Sequence, residues 1–152
     1  MIDQLTGARA RGALVSRINH ELLTEASALF VARFLCVDID NLKAYLDVEG
    51  LTAGDDKLIA LGRALIEHYG VDAVFRVDGD DFVVELGDRE PWIPRLDGIA
   101  IKHAILDVAL HRHRARNHHV RKWIMMHIDA ASLAARVGGT SLSCGDPPGL
   151  AA

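Results

Sequence analysis

The sequence predicts a single α/β domain, an α/β sandwich whose helices pack on a sheet containing antiparallel pairs. Three observations point there. Residues 29–37 are a nearly continuous apolar run and read as a buried central strand ending at Asp38. Residues 73–77 and 82–86 read as two strands joined by a tight turn, with Asp78-Gly79 the dipeptide favoured by two-residue type I′ hairpins. Leu58, Leu61, Leu65 and Ile66 mark an amphipathic helix that stops near Gly70.

The other elements follow in order. Leu14, Ile18 and Leu22 recur at helical spacing and predict a helix over 8–27. Residues 41–47 suit a short helix, and 50–54 a loop between two glycines. After Pro91 and Pro94, the spacing of Ile101, Ile105, Val108 and Ala109 predicts a helix running to about residue 116. Residues 120–128 read as a further strand with Trp123 and Ile124 buried, and Cys36 reads as core. A domain over 1–137 followed by a disordered tail over 138–152, rich in Gly, Ser and Pro, completes the reading.

Composition narrows the function. The chain has 152 residues, and 17 Lys+Arg against 21 Asp+Glu leave a net charge of −4. That is a poor balance for a general nucleic-acid coat, which needs many cations to release counterions. No stretch reaches the ~18 apolar residues of a membrane span, and the N-terminus lacks the layout of a signal peptide. Cys36 and Cys144 are too few for a disulfide framework, so the expected setting is cytoplasmic and reducing.

The acids are clustered. Asp38 and Asp40 follow the central strand and point to one side in extended chain, while Asp80 and Asp81 follow the hairpin turn. If the two strands are neighbours, carboxylates from separate elements converge at one end of the sheet. Crowded carboxylates repel, and a hard divalent cation such as Mg²⁺ relieves that repulsion while recruiting a substrate's phosphates. Asp is also common in turns, so each acid alone carries little. The combination carries the argument.

Four segments in register resemble the GGDEF domain of diguanylate cyclases. Asp3-Gln-Leu-Thr-Gly7 is similar to the family's opening D-x-L-T-G, and Val37-Asp-Ile-Asp-Asn-Leu-Lys43 to its D-I-D-x-F-K. Gly50 with Gly54-Asp55 is similar to G-x-x-x-G-D, and Arg76-Val-Asp-Gly-Asp-Asp-Phe82 sits where R-x-G-G-D/E-E-F belongs. The resemblance covers residues 3–86. It implies a palm-like nucleotidyl cyclase fold, with a central, mostly antiparallel sheet flanked by helices. Two GTP molecules held by two protomers would condense to cyclic di-GMP, so the active form would be a homodimer using Mg²⁺ or Mn²⁺.

Carried over by position, the resemblance makes Asp38, Asp80 and Asp81 the catalytic acids. Asp38, Asp80 and the Ile39 carbonyl would hold the metal. Lys43 would meet the triphosphate and Asp55 the guanine edge, with Arg76 and Gly79 at the signature turn also on the substrate side.

Several positions depart from the family. Asp78 replaces the first signature glycine, and Asp81 the signature glutamate. Leu46 stands where an asparagine binds guanine, which weakens discrimination between purines. Tyr69 replaces the arginine of the product-inhibition motif R-x-x-D, although Asp72 remains. The match fades beyond residue 90, and the late helix's phosphate-binding cations have no counterpart in register; Arg114 or Arg116 would have to serve instead. These departures support the alternative of a degenerate, inactive module that binds a nucleotide or partner in signalling.

Between Asp107 and Asp129 the chain has no acid but carries Arg112, Arg114, Arg116, Arg121 and Lys122 among five histidines. Interleaved arginines disfavour zinc. A solvated basic face is the plainer reading, with phosphate binding as the other.

Overall fold

The computed structural model describes residues 1–24, 27–111, 117–138 and 141–148. Its elements are β1 (Arg9–Ala10), α1 (Arg11–Thr24), β2 (Leu29–Ile39), α2 (Leu42–Glu49), α3 (Leu51–Tyr69), β3 (Val74–Asp78), β4 (Asp81–Glu85), β5 (Ile101–His111), α4 (Asn117–Arg136) and β6 (Ser141–Cys144). The six strands form one sheet in the order β1-β3-β4-β2-β5-β6. The predicted central strand is central, antiparallel to β4 on one side and to β5 on the other.

Alternation along β2 sends its side chains to two separate cores. Phe30, Phe34 and Cys36 face α1 and α4, packing with Leu14, Ile18, Ile124 and Ile128. Leu35, Val37 and Ile39 face α3, packing with Leu58, Leu61 and Leu65. Phe82 is fully buried on the α3 side. Gly62 matters there, because a Cβ at that position would come within 2.9 Å of the Thr6 Cβ. Its absence lets α3 close onto the loop that opens the chain.

Four expectations fail, each for a legible reason. Residues 101–111 are a strand rather than a helix: Ala104, Leu106, Val108 and Leu110 are buried while Asp107 and Ala109 face outward. Residues 120–128 lie in a helix rather than a strand, since Val120, Ile124, Ile128, Ala131 and Ala135 are buried at intervals of three or four. The predicted loop at 50–54 is the start of α3, and Gly54 is buried there so close to Leu46 that a side chain would collide with it. The predicted tail includes β6, which pairs in parallel with β5 from Ile105 to Val108 and buries Cys144.

The hairpin is present, but its turn is shifted. Asp78 pairs with Asp81, so the central pair is Gly79-Asp80, and neither residue adopts the left-handed backbone of a type I′ turn. A register irregularity between Arg76 and Asp78 takes up the difference.

Candidate metal and nucleotide site

The site is built where β2 ends and β4 begins. Asp38 and Asp81 are directly paired across the two strands and therefore share the α4 face of the sheet. Asp80 sits in the adjoining turn. Each of Asp38, Asp80 and Asp81 offers a carboxylate oxygen within 4.8 Å of the others. Asp38 and Asp81 are 4% and 3% exposed, and one oxygen of each (Oδ1) is buried without a hydrogen-bond partner.

Such an arrangement is costly without a cation. Burial, then the charges of Asp80 and Asp81, push the Asp38 carboxyl up to about 8. Burial also raises Asp81, with the Asp80 charge adding to it and Arg136 opposing. Two orphaned buried oxygens beside a third carboxylate are a donor set suited to a hard, oxygen-seeking ion. Among the described residues no histidine joins a group of this kind.

The sequence reading did not find Arg136. It lies in the last turn of α4, and its guanidinium donates to Asp81 Oδ2 at 3.0 Å and stands 4.0 Å from Asp80 Oδ1. Arg114 and Arg116, the cations considered in its place, lie outside the described residues. Only the helical period of α4 could have signalled Arg136, and residues 120–128 read instead as a strand.

Arg76 acts on the turn itself. Its guanidinium donates to the Gly79 carbonyl at 2.9 and 2.5 Å and to the Asp3 carboxylate at 3.1 and 3.2 Å. Asp3 also accepts from the Thr6 backbone N–H and hydroxyl at 2.9 and 2.6 Å. The opening D-x-L-T segment thus clamps the turn that carries Asp80. The contact joins two segments 73 residues apart in the chain.

The remaining candidates lie on the neighbouring helices. Lys43 is in the first turn of α2 and Asp55 in the first turns of α3, both exposed and outside the acid cluster. Asn41 turns the chain from β2 into α2 with a left-handed backbone and no side-chain cap, leaving the first N–H groups of α2 unclaimed by it. Ile39 is buried at the end of β2. Leu46 packs on Gly54 beside Asp55. Asp78 is exposed, accepts from the Gly79 N–H at 2.8 Å and, with Arg11, Asp81, Asp129 and Arg136, lines a cleft of about 480 Å³.

The comparisons agree with this geometry. The model of the family described as "Diguanylate cyclase, GGDEF domain" matches residues 1–121, most of the chain. The chain belongs to the GGDEF family. This GGDEF domain is 36% identical over 87 residues to the diguanylate cyclase DgcN of Escherichia coli (strain K12), a match covering 57% of the chain but about a fifth of that relative's length. Its fold is similar to the GGDEF domain of DgcB from Caulobacter crescentus, solved in complex with c-di-GMP, at a TM-score of 0.66 and 18% identity over 94% of this chain and 92% of that one. The diguanylate cyclase SiaD from Pseudomonas aeruginosa, solved with its activator SiaC, is similar at the same TM-score and identity, over 93% of this chain and 61% of that one. The palm-like cyclase fold expected from the motifs is therefore the fold of this GGDEF domain.

Proposed function

We propose that this GGDEF domain binds GTP with Mg²⁺ or Mn²⁺ and, as a homodimer, condenses two GTP molecules to cyclic di-GMP in the cytoplasm. The observation that carries the reading is the convergence of Asp38, Asp80 and Asp81 with two buried carboxylate oxygens lacking partners. Asp38, Asp80 and the Ile39 carbonyl would hold the metal, and Asp81 would complete the acidic wall. A divalent ion there supplies Lewis acidity toward a phosphate and lowers the pKa of a bound hydroxyl.

The chain's own groups do the rest. The uncapped N-terminus of α2 and Lys43 offer donors and positive charge to the phosphates. Arg136 adds a guanidinium on the α4 side, and Asp55 accepts from the base. In the reaction each 3′-hydroxyl oxygen bonds to the other nucleotide's α-phosphorus, pyrophosphate leaves, and the hydroxyl proton passes to a base or water. Arg76 and Asp3 hold the turn so that Asp80 keeps its place.

Two observations favour binding without turnover as a second reading. Asp78 adds negative charge to the cleft beside the triad, and Leu46 brings an apolar side chain to the Gly54-Asp55 segment. One experiment separates the readings. The protein is incubated with GTP or ATP and Mg²⁺ or Mn²⁺, and products are read by mass spectrometry. Cyclic di-GMP with pyrophosphate supports the first reading. Unchanged GTP at high protein concentration, with GTP bound in calorimetry, supports the second.

A further inference from the structure

The acids of the site belong to a longer row that extends onto a third strand. Asp81 on β4 pairs with Asp38 on β2, and Asp38 pairs with Lys102 on β5. Directly paired residues share a face, so an acid, an acid and a lysine lie side by side beneath the end of α4. β5 is the strand that sequence periodicity read as a helix, which hid this neighbour.

Lys102 is held loosely. Its Nζ is 3.3 Å from Asp40 Oδ1 and donates to the Arg136 carbonyl at 3.4 Å, and its side chain is 35% exposed. Arg136 is more firmly engaged, at 3.0 Å from an almost fully buried Asp81. An ammonium group has three donors and a flexible stem, so Lys102 can turn toward an anion at the mouth of the site while keeping one present contact. A triphosphate arriving there adds negative charge where three acids already stand, and the adjacent cation with the weakest present contacts can shift to meet it.

Accepting the nucleotide-binding reading above, we propose that Lys102 is a phosphate-binding residue of this site, donating to a phosphate oxygen of the bound nucleoside triphosphate. The contact distinguishes nucleotides by phosphate number, because a lysine recognises phosphate as a point charge.

The test is calorimetric binding of an α,β-methylene GTP analogue and of GMP, each with Mg²⁺, to the wild-type chain, Lys102→Met and Lys102→Arg. Lys102→Met is expected to weaken the triphosphate analogue about tenfold, the size expected for losing one hydrogen bond to a charged group. GMP should weaken clearly less, and Lys102→Arg should keep most of the affinity. The proposal is overturned if Lys102→Met binds the analogue as wild type does. It is also overturned if both ligands weaken equally, which marks a purely structural role through Asp40 and α4. A wild-type chain that binds neither ligand overturns the nucleotide reading itself.

Discussion

Strand β4 carries an acid near each end on the same face of the sheet, Asp81 and Glu85, and an arginine from a helix meets each one. At the Glu85 end, Arg17 of α1 reaches Glu85 at 3.3 Å and Glu21 at 3.2 Å. Glu21 is pushed up to about 7, by burial first and then by the charge of Glu85 and a hydrogen bond to it. One arginine therefore answers two acids there. At the Asp81 end there are three acids, and Arg136 leaves an oxygen of both Asp38 and Asp81 buried without a partner. The difference is one of count and convergence. Glu85 Oε2 is also buried without a partner, but there two acids share one arginine. At the other end three carboxylates converge within 4.8 Å with two such oxygens and leave room for a cation from outside.

The largest expected effect breaks the open end. Asp38→Asn or Asp81→Asn should reduce GTP turnover by more than about 100-fold, above the 10–100-fold that loss of a supporting residue around a metal typically costs. Glu85→Gln should leave turnover near wild type. Initial rates of pyrophosphate release check both.

Next come the two arginines. Arg17→Gln should destabilise the chain by about 1 kcal/mol in urea at pH 7, the order expected of a part-exposed ion-pair network, and Mg²⁺ should not restore it. Arg136→Gln should also lose stability in chelator, but added Mg²⁺ should recover most of the loss. Equal behaviour of the two variants would erase the distinction between the ends.

A smaller effect is read by pH. The fold favours protonated Glu21, so its stabilisation is full below the ordinary value of 4.5 and is lost as pH rises through about 7. Between pH 5 and 8 the wild-type melting temperature should fall by a few degrees, on the order expected from about 1 kcal/mol in a domain of this size. Glu21→Gln should flatten that part of the profile. The smallest effect is expected from Asp3→Asn, which keeps a hydrogen-bond acceptor for Arg76 but loses the charge. It should cost a few tenths to 1 kcal/mol in urea unfolding.

The two ends of β4 were not equally legible in the sequence. Asp38, Asp80 and Asp81 could be read because they sit at the ends of strands marked by apolar runs, and the motifs around them lie in register. Glu21 and Glu85 showed nothing, since no local pattern says that Arg17 of α1 reaches Glu85 of β4. Arg136 is 55 residues from Asp81, and its helix was masked because Trp123 and Ile124 suit a strand as well as a helix. Lys102 was lost similarly. Ile101, Ile105 and Val108 fit a helix, Ala104, Leu106, Val108 and Leu110 fit a strand, and only pairing with β2 decides between them. Local periodicity therefore placed the acids, while the cations that answer them depended on tertiary packing.

The most direct test of the open end is calorimetric titration of Mn²⁺ into metal-free protein with the α,β-methylene GTP analogue present. The wild-type chain should bind the ion, and a variant with Asp38, Asp80 and Asp81 all changed to Asn should not. Wild-type protein that binds no Mn²⁺, or a triple variant that binds it equally well, would contradict the assignment of this acid cluster as the metal site.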